Sequence, residues 1–206
     1  MNQFSGSIPF ENHQLWRSRG YLPHYDGSQY QMITYRLSDS LPKHVLENLD
    51  GDSDSIKRRN SIEKYLDQGR GSCLLKIPEI ANEIIKNWQH FSGIRYDLIA
   101  GVVMPNHVHV MISTNDDWPI SKIVWSWKTY ISNFIKKGGW GAAPACSAPA
   151  NDKGTCDATA KSIWQREYWD RFIRDENHFH SALRYIWENP LKAGLLHKEE
   201  KWPYIL

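Results

Sequence analysis

Four segments of the chain alternate apolar and polar residues, or form short apolar runs rich in β-branched and aromatic side chains. They span residues 29–37, 96–103, 107–113 and 164–173. A period of two is typical of a strand that buries one face, and a short apolar run is typical of a strand buried on both faces. The pattern therefore predicts a strand in each segment.

Other segments place apolar residues three or four positions apart, which predicts amphipathic helices. The clearest of these helices spans residues 119–137. Further helices are predicted within 42–66, over 78–88 and over 176–187. The last helix is expected to stop before Asn189-Pro190, because a residue that precedes proline avoids the helical conformation.

The order of these elements favours an α+β fold with an antiparallel sheet and helices packed on it, because few helical crossovers separate the predicted middle strands. Residues 1–28 show no regular period and predict an irregular N-terminal segment. Residues 138–162 are rich in Gly, Ala and Pro and predict a flexible surface loop. The whole of 1–206 is expected to form a single domain.

Composition narrows the functional class only a little. The formal net charge is +2 and the pI is about 8.4, so a nucleic-acid surface would have to be a local patch. Ten tryptophans and ten tyrosines could stack on bases, although such rings more often pack in cores. Three cysteines without metal-binding spacing, no visible secretory signal and no long apolar run predict a cytoplasmic protein without a membrane span.

The most specific chemical feature is the pair His107 and His109, separated by Val108. Side chains alternate faces along a strand, so both imidazoles point the same way, while Val108, Val110 and Ile112 can pack into a core on the other face. Neutral imidazole is the commonest metal ligand, and a rigid pair is half of a metal site. Two hydrogen-bonded histidines without a metal are the alternative, because two ligands do not complete a site.

Tyr130 lies at the flank of the apolar stripe on the 119–137 helix, and it is the candidate nucleophile. Lys128 and Asn133 lie near it on the same helix and could offer polar groups to a phosphate or a metal. A phenol is a weak nucleophile at neutral pH, but a cation that polarises a phosphodiester would assist its attack. The pattern matches metal-assisted transesterification of single-stranded DNA, and an ordinary boundary tyrosine is the alternative.

His107-Val108-His109 resembles the HUH motif of single-tyrosine HUH transposases, and Tyr130 resembles their nucleophile. The similarity is closest to the REP-associated tyrosine transposases of bacteria. The similarity covers almost the whole chain outside the 138–162 loop. Each matching block of sequence is weak evidence by itself, but the full set of blocks in this order is highly specific for the family. The blocks that carry the resemblance are residues 19–24, 34–42, 66–71, 104–110, 128–130, 164–175 and 185–195.

The resemblance implies a ferredoxin-like fold with the catalytic tyrosine on a helix. It also implies Mg²⁺ or Mn²⁺ bound by His107 and His109, and cleavage of single-stranded DNA at hairpins of repetitive extragenic palindromes. Cleavage would leave a 5′-phosphotyrosine and a free 3′-hydroxyl. Arg19 and Arg171 are carried over as DNA contacts, with a surface salt bridge as the alternative for each. Members of this group are expected to act as monomers, whereas other single-tyrosine relatives often work as dimers.

One departure concerns the third metal ligand. Related transposases often supply a Gln or Asn one turn after the tyrosine, but the residue four positions after Tyr130 is Phe134, which cannot ligate. Asn133 is the nearest substitute, and water or DNA oxygens could complete the shell.

Two other functions stay open. The chain could be a palindrome-binding protein that has lost catalysis, in which case it would bind DNA without metal and form no covalent adduct. It could also be an ion-dependent hydrolase of another substrate, with a purely structural Tyr130. The presence of both histidines and Tyr130 favours the DNA-cleaving enzyme.

Overall fold

The computed structural model describes residues 16–18, 23–25, 29–41, 55–114, 117–140, 162–197 and 200–206. The strands of this described part are β1 (Trp16–Ser18), β2 (Pro23–Tyr25), β3 (Tyr30–Arg36), β4 (Tyr96–Val103), β5 (His107–Thr114) and β6 (Trp169–Phe172). The helices are α1 (Ser55–Asp67), α2 (Pro78–His90), α3 (Ile120–Lys137) and α4 (Glu176–Lys192), with a short 3-10 turn at Leu74–Lys76.

The central sheet has four strands in the order β4-β5-β3-β6, and every neighbouring pair is antiparallel. Strands β1 and β2 pair with each other as a separate short ribbon. The predicted α+β fold, with helices packed on an antiparallel sheet, is confirmed. No helix in the described part of the chain combines the length and the apolar character needed to cross a membrane.

The two faces of the sheet carry different layers. On one face Val108, Val110 and Ile112 of β5 pack in a core with α2 and α3, to which Trp88 and Trp127 contribute the largest side chains. On the opposite face Met111 packs with residues of β4 and α4. Because side chains alternate along β5, His107 and His109 lie on this second face, beneath α4.

Polar atoms of the aromatic core pair with one another. The Trp88 indole donates to the Tyr35 hydroxyl (3.1 Å), the Trp127 indole donates to the Tyr96 hydroxyl (3.0 Å), and that hydroxyl donates to the Trp88 carbonyl (2.7 Å). Burial raises the pKa of Tyr35 and of Tyr96, so both phenols stay neutral. These hydrogen bonds offset the cost of burying polar groups in the core that holds α2 and α3 against the sheet.

Some predicted boundaries were wrong. The last helix does not stop before Asn189 but continues to Lys192, with Pro190 inside it. Pro190 lies in the final turn, where its missing N–H costs one hydrogen bond, and its side chain is buried. The predicted strand over 164–173 is shorter, because Trp164 forms only an isolated bridge to Leu37 before β6 begins at Trp169.

Several predictions fall on residues outside the described part of the chain. These include the start of the helix near residue 42, most of the loop over 138–162 and most of the segment 1–28. The assignment of 1–206 to a single domain stays a prediction.

Candidate active site

Strand β5 brings the two histidines together as predicted. The Nε2 atoms of His107 and His109 lie 3.1 Å apart, and each side chain is only 1% exposed. Two ligands of an octahedral Mg²⁺ ion that lie at right angles, each about 2.1 Å from the metal, are separated by about 3 Å. The spacing of the two ring nitrogens therefore fits two ligands of one cation.

The tautomer of His107 follows from its neighbour. The Asn106 side chain donates through Nδ2 to the Arg70 carbonyl (2.9 Å), so its Oδ1, 2.7 Å from His107 Nδ1, is left as an acceptor. Nδ1 of His107 must then carry the proton, which leaves the Nε2 lone pair directed toward His109. Asn106 thus fixes the orientation of the His107 ring, as outer hydrogen-bond partners do at metal sites.

Thr34 plays the corresponding part for His109. It lies opposite His109 in the β3–β5 register, and its hydroxyl is 2.7 Å from His109 Nδ1. A hydroxyl both donates and accepts, so Thr34 can pair with either tautomer of His109. Without a cation, Nε2 of His109 would donate to His107; with one bound, Nδ1 would donate to Thr34.

Arg36 places a buried positive charge at the same end of the sheet. It pairs with His107 across β3 and β5, is 5% exposed and donates to the Ser40 hydroxyl (3.0 Å). Burial, together with this charge, lowers the pKa of His107 to about 3. His107 is therefore neutral over the whole physiological range, as metal ligation requires.

Helix α4 places Tyr185 directly against the histidine pair. The rings of Tyr185 and His109 meet edge to face, with centroids 5.1 Å apart and an interplanar angle of 82°. The Lys192 ammonium lies 5.4 Å from the centre of the Tyr185 ring. A phenol, two imidazoles and a cation are thus gathered on one face of the sheet.

Asn189 follows Tyr185 by one helical turn, so both side chains project from the same side of α4. It is 1% exposed, and its Oδ1 has no hydrogen-bond partner among the described residues. A buried acceptor without a partner costs about 1–3 kcal/mol, which a bound cation would offset. Among the described residues no group of three His, Cys, Asp or Glu side chains could hold a metal, and an amide oxygen is the third donor that α4 offers.

Tyr130, the predicted nucleophile, does not meet the histidines. Its helix, α3, packs on the opposite face of the sheet, and its hydroxyl donates to Glu83 of α2 (2.6 Å). The side chain is 50% exposed, and the hydrogen bond to Glu83 raises the pKa of the phenol. A raised pKa makes the nucleophilic phenolate less accessible. The expectation that Tyr130 lies beside the metal ligands is therefore wrong.

The polar residues predicted to accompany Tyr130 are also separated from the histidines. Asn133 lines a groove between α2 and α3, on the Tyr130 side of the sheet. Lys128 donates to the backbone carbonyls of Gln165 (2.9 Å) and Arg166 (3.3 Å), which ties α3 to the segment before β6. Burial lowers the pKa of Lys128 to about 8. Neither residue lies on the histidine side of the sheet.

The structure describes only one of the two arginines predicted to contact DNA, and the DNA contact stays a prediction for both, as it does for Lys128. Arg171 of β6 is exposed and stands opposite Met32, in register with Met111, so it lies on the histidine face of the sheet. Arg19 lies outside the described residues.

Sequence reasoning did not assign five residues that the structure places around the histidine pair: Tyr185, Asn189, Asn106, Thr34 and Arg36. The spacing of Tyr185 and Asn189 was a usable signal, because it provides the amide one turn after the tyrosine that Tyr130 lacks. Thr34 and Arg36 could be recognised only from the β3–β5 register, and the role of Asn106 only from its contacts with His107 and the Arg70 carbonyl.

Comparisons with known proteins indicate which family this chain resembles. A family model described as "Transposase IS200 like" matches residues 58–143. A Haemophilus influenzae protein, provisionally named a REP-associated tyrosine transposase, is 27% identical over 111 residues, which are 53% of this chain and 57% of that protein. The REP-associated tyrosine transposase of Escherichia coli K12 is 25% identical over 111 residues, 53% of each chain. The match thus spans little more than half the length of these curated relatives.

A solved structure of a REP-associated tyrosine transposase bound to a REP hairpin has a similar fold. It superimposes with a TM-score of 0.51 over 90% of this chain and 80% of that chain, at 18% sequence identity. The family model, the two curated relatives and the shared architecture confirm that this chain resembles the REP-associated tyrosine transposases.

Proposed function

We propose that the chain cleaves single-stranded DNA beside hairpins of extragenic palindromes, with the Tyr185 hydroxyl as the nucleophile. The observation that carries this proposal is the edge-to-face contact between Tyr185 and His109, at 5.1 Å between ring centroids. It puts a phenol next to the histidine pair, where a phosphate held by that pair would lie within reach. Tyr130, on the other face of the sheet, has no such neighbour among the described residues.

The reaction exchanges one phosphoester for another. The Tyr185 oxygen attacks the phosphorus, the bond from phosphorus to the 3′ oxygen breaks, and a 5′-phosphotyrosine forms. The phenol loses its proton and the departing 3′ oxygen gains one, so neither water nor an oxidant is consumed. Because the phosphoester is preserved, a second 3′-hydroxyl could reverse the step and join strands.

A divalent cation, Mg²⁺ or Mn²⁺, fits the donors that the site presents. His107 and His109 would hold it through Nε2, and Asn189 through the buried Oδ1 that lacks a partner among the described residues. When bound, such an ion polarises a phosphate and orients it for in-line attack. Asn106 and Thr34 keep the two imidazoles in position for ligation.

Positive side chains on the same face suit a phosphodiester. Arg36 is buried beside His107, Lys192 lies over Tyr185 and also pairs with Glu188 (3.1 Å), and Arg171 is exposed on β6. A guanidinium at 5% exposure is strongly desolvated, and a phosphate oxygen would compensate it. The structural neighbour was solved with a REP hairpin, which supports a DNA hairpin as the partner.

The direct test compares two tyrosine variants. Parent, Tyr185→Phe and Tyr130→Phe proteins are incubated with a REP-type hairpin carrying unpaired flanks and with Mn²⁺ or Mg²⁺. Denaturing gels then show cut DNA and protein-linked DNA. We expect Tyr185→Phe to bind the hairpin normally and form no adduct, because only the hydroxyl is lost. Tyr130→Phe should form the adduct at close to the parental rate.

The opposite result, an adduct that depends on Tyr130 and survives in Tyr185→Phe, would overturn the assignment of the nucleophile. Tight hairpin binding without an adduct in any of the three proteins would favour the palindrome-binding function.

A further inference from the structure

A groove that the proposed chemistry leaves unused lies between α2 and α3, on the side of the sheet away from the histidines. It encloses about 580 Å³, within the range of small-ligand sites. Its walls include Glu83, Asn87, Phe91, Trp125, Tyr130 and Asn133, and we call it the α2–α3 groove.

Two aromatic side chains that line this groove are unusually exposed to solvent. Trp125 is 69% exposed and Tyr130 is 50% exposed, although both stand on a helix that buries most of its other large apolar residues. A single exposed apolar residue needs no explanation, but two rings beside one cavity form a stacking platform. Successive bases of single-stranded nucleic acids stack on such rings regardless of sequence.

A buried amide supplies a hydrogen-bond donor in the same groove. Asn87 is 7% exposed, and its Nδ2 has no hydrogen-bond partner among the described residues. Buried donors are rarely left unpaired, because the lost hydration is not recovered. The edge of a nucleobase carries ring-nitrogen and carbonyl acceptors that would satisfy it.

Two cations beside the groove match a nucleotide backbone. Lys86 lies 4.0 Å from Glu83, whose other oxygen accepts the Tyr130 hydroxyl. The Arg95 guanidinium lies 3.6 Å above the Phe91 ring and 4.3 Å from the Trp118 ring. The Lys86, Arg95 and Glu83 charges sum to +1, which favours an anionic ligand over a neutral peptide.

We propose that the α2–α3 groove binds one unpaired nucleobase of the DNA that flanks the hairpin, stacked on Trp125 with its edge toward Asn87. This inference rests on the proposed function for its DNA partner, but it assigns a contact that takes no part in cleavage. The chain would then hold DNA on both faces of its sheet, with cleavage on one face and anchoring on the other.

The test measures binding in EDTA, so that no cleavage occurs. Fluorescence anisotropy compares a hairpin with unpaired flanks and a blunt hairpin, for the parent, Trp125→Ala and Trp125→Phe. We expect Trp125→Ala to weaken binding of the flanked hairpin roughly tenfold, because one stacked base is lost, and to leave the blunt hairpin unchanged. Trp125→Phe should retain most of the affinity. Ile94→Ala is the matched control, because Ile94 is 68% exposed and does not line the groove.

Photocrosslinking locates the base directly. A 5-iododeoxyuridine in the unpaired flank should crosslink to Trp125 or Tyr130, identified by mass spectrometry. The proposal would be overturned if crosslinks formed only with other residues. It would also be overturned if the parent and Trp125→Ala bound the flanked hairpin with equal affinity. A change in sedimentation caused by Trp125→Ala in the absence of DNA would overturn it as well, since the groove would then be a contact between two copies of the chain.

The two proposals fail in different ways. A Tyr185-dependent adduct together with Trp125-independent binding would overturn only the groove. Trp125-dependent binding without any adduct would support the groove and overturn the proposed cleavage. Absence of binding to both hairpins by the parent would overturn both.

Discussion

The Thr34 hydroxyl lies 2.7 Å from Nδ1 of His109 and holds that imidazole from the neighbouring strand. Thr34→Val keeps the shape of the side chain and removes the hydroxyl. We expect cleavage to fall roughly 10- to 100-fold, because outer hydrogen-bond partners of metal ligands tune affinity by that much. Single-turnover cleavage rates measured across a Mn²⁺ titration would show this decrease. Thr34→Ser, which keeps the hydroxyl, should recover most of the cleavage rate. Equal rates for Thr34→Val and Thr34→Ser would show that the hydroxyl does not contribute to cleavage.

Asn189 gives a prediction about metal affinity. Asn189→Leu removes the buried Oδ1 that lacks a described partner and keeps similar volume. The Mn²⁺ concentration for half-maximal cleavage should rise at least about tenfold. The Mn²⁺-induced increase in Tm should also shrink, since binding to the folded state stabilises it by mass action. Asn177→Leu, at an exposed position in the first turn of the same helix, is the control. An unchanged Mn²⁺ midpoint in Asn189→Leu would mean that the amide is not a ligand.

Asp67 at the end of α1 predicts a pH effect on stability. Burial, helped by the negative charge of Glu63, raises the pKa of Asp67 from 3.8 to about 6 in the folded protein. The folded state therefore holds this proton more tightly, and its contribution to stability is full below pH 3.8 and lost as pH rises through 6. Asp67→Asn should raise the free energy of unfolding at pH 7.5 by about 1 kcal/mol, a figure reduced for partial exposure.

Urea unfolding of the parent and Asp67→Asn across this range would check that effect. The advantage of the variant should fade toward about pH 4, where both side chains are neutral. A difference that stays constant over the whole range would show that the carboxyl does not titrate differently in the folded and unfolded states.

Gly101 of β4 faces Trp88 of α2 at close range. A Cβ at Gly101 would lie 2.8 Å from Cζ3 of Trp88, whose side chain is fully buried and hydrogen-bonded to Tyr35. Gly101→Ala should therefore lower the free energy of unfolding by about 1–3 kcal/mol through overpacking. Thermal and urea unfolding would measure it. Trp88→Phe should lower the free energy of unfolding less in the Gly101→Ala background than in the parent. If the two substitutions instead had strictly additive effects on this free energy, that would argue against the clash.

The strand and helix pattern was largely predictable because it depends on local periodicity. The alternation around Val108 and Val110 correctly placed both histidines on one face of β5. The choice between Tyr130 and Tyr185 depends instead on which face of the sheet each helix covers. Two amphipathic helices carry the same kind of stripe whichever face they pack on, so helical periodicity could not separate them. The positions of Thr34 and Arg36 beside the histidines depend on strand register, which the sequence pattern did not predict. The orientation of Asn106 depends on its hydrogen bond to the distant Arg70 carbonyl, which was equally unpredictable.

Residues near the end of the sequence close one side of the sheet. Gly101 and Leu206 exchange backbone hydrogen bonds of 3.4 and 2.8 Å, Val103 donates to the Tyr204 carbonyl (2.9 Å), and the Trp202 indole donates to the Val103 carbonyl (2.9 Å). The outer edge of β4 is thus already engaged along Gly101–Val103. Two copies of the chain could extend their sheets into one another at this edge only by peeling these residues away. Self-association that keeps residues 202–206 in place therefore cannot continue the sheet along Gly101–Val103 of β4.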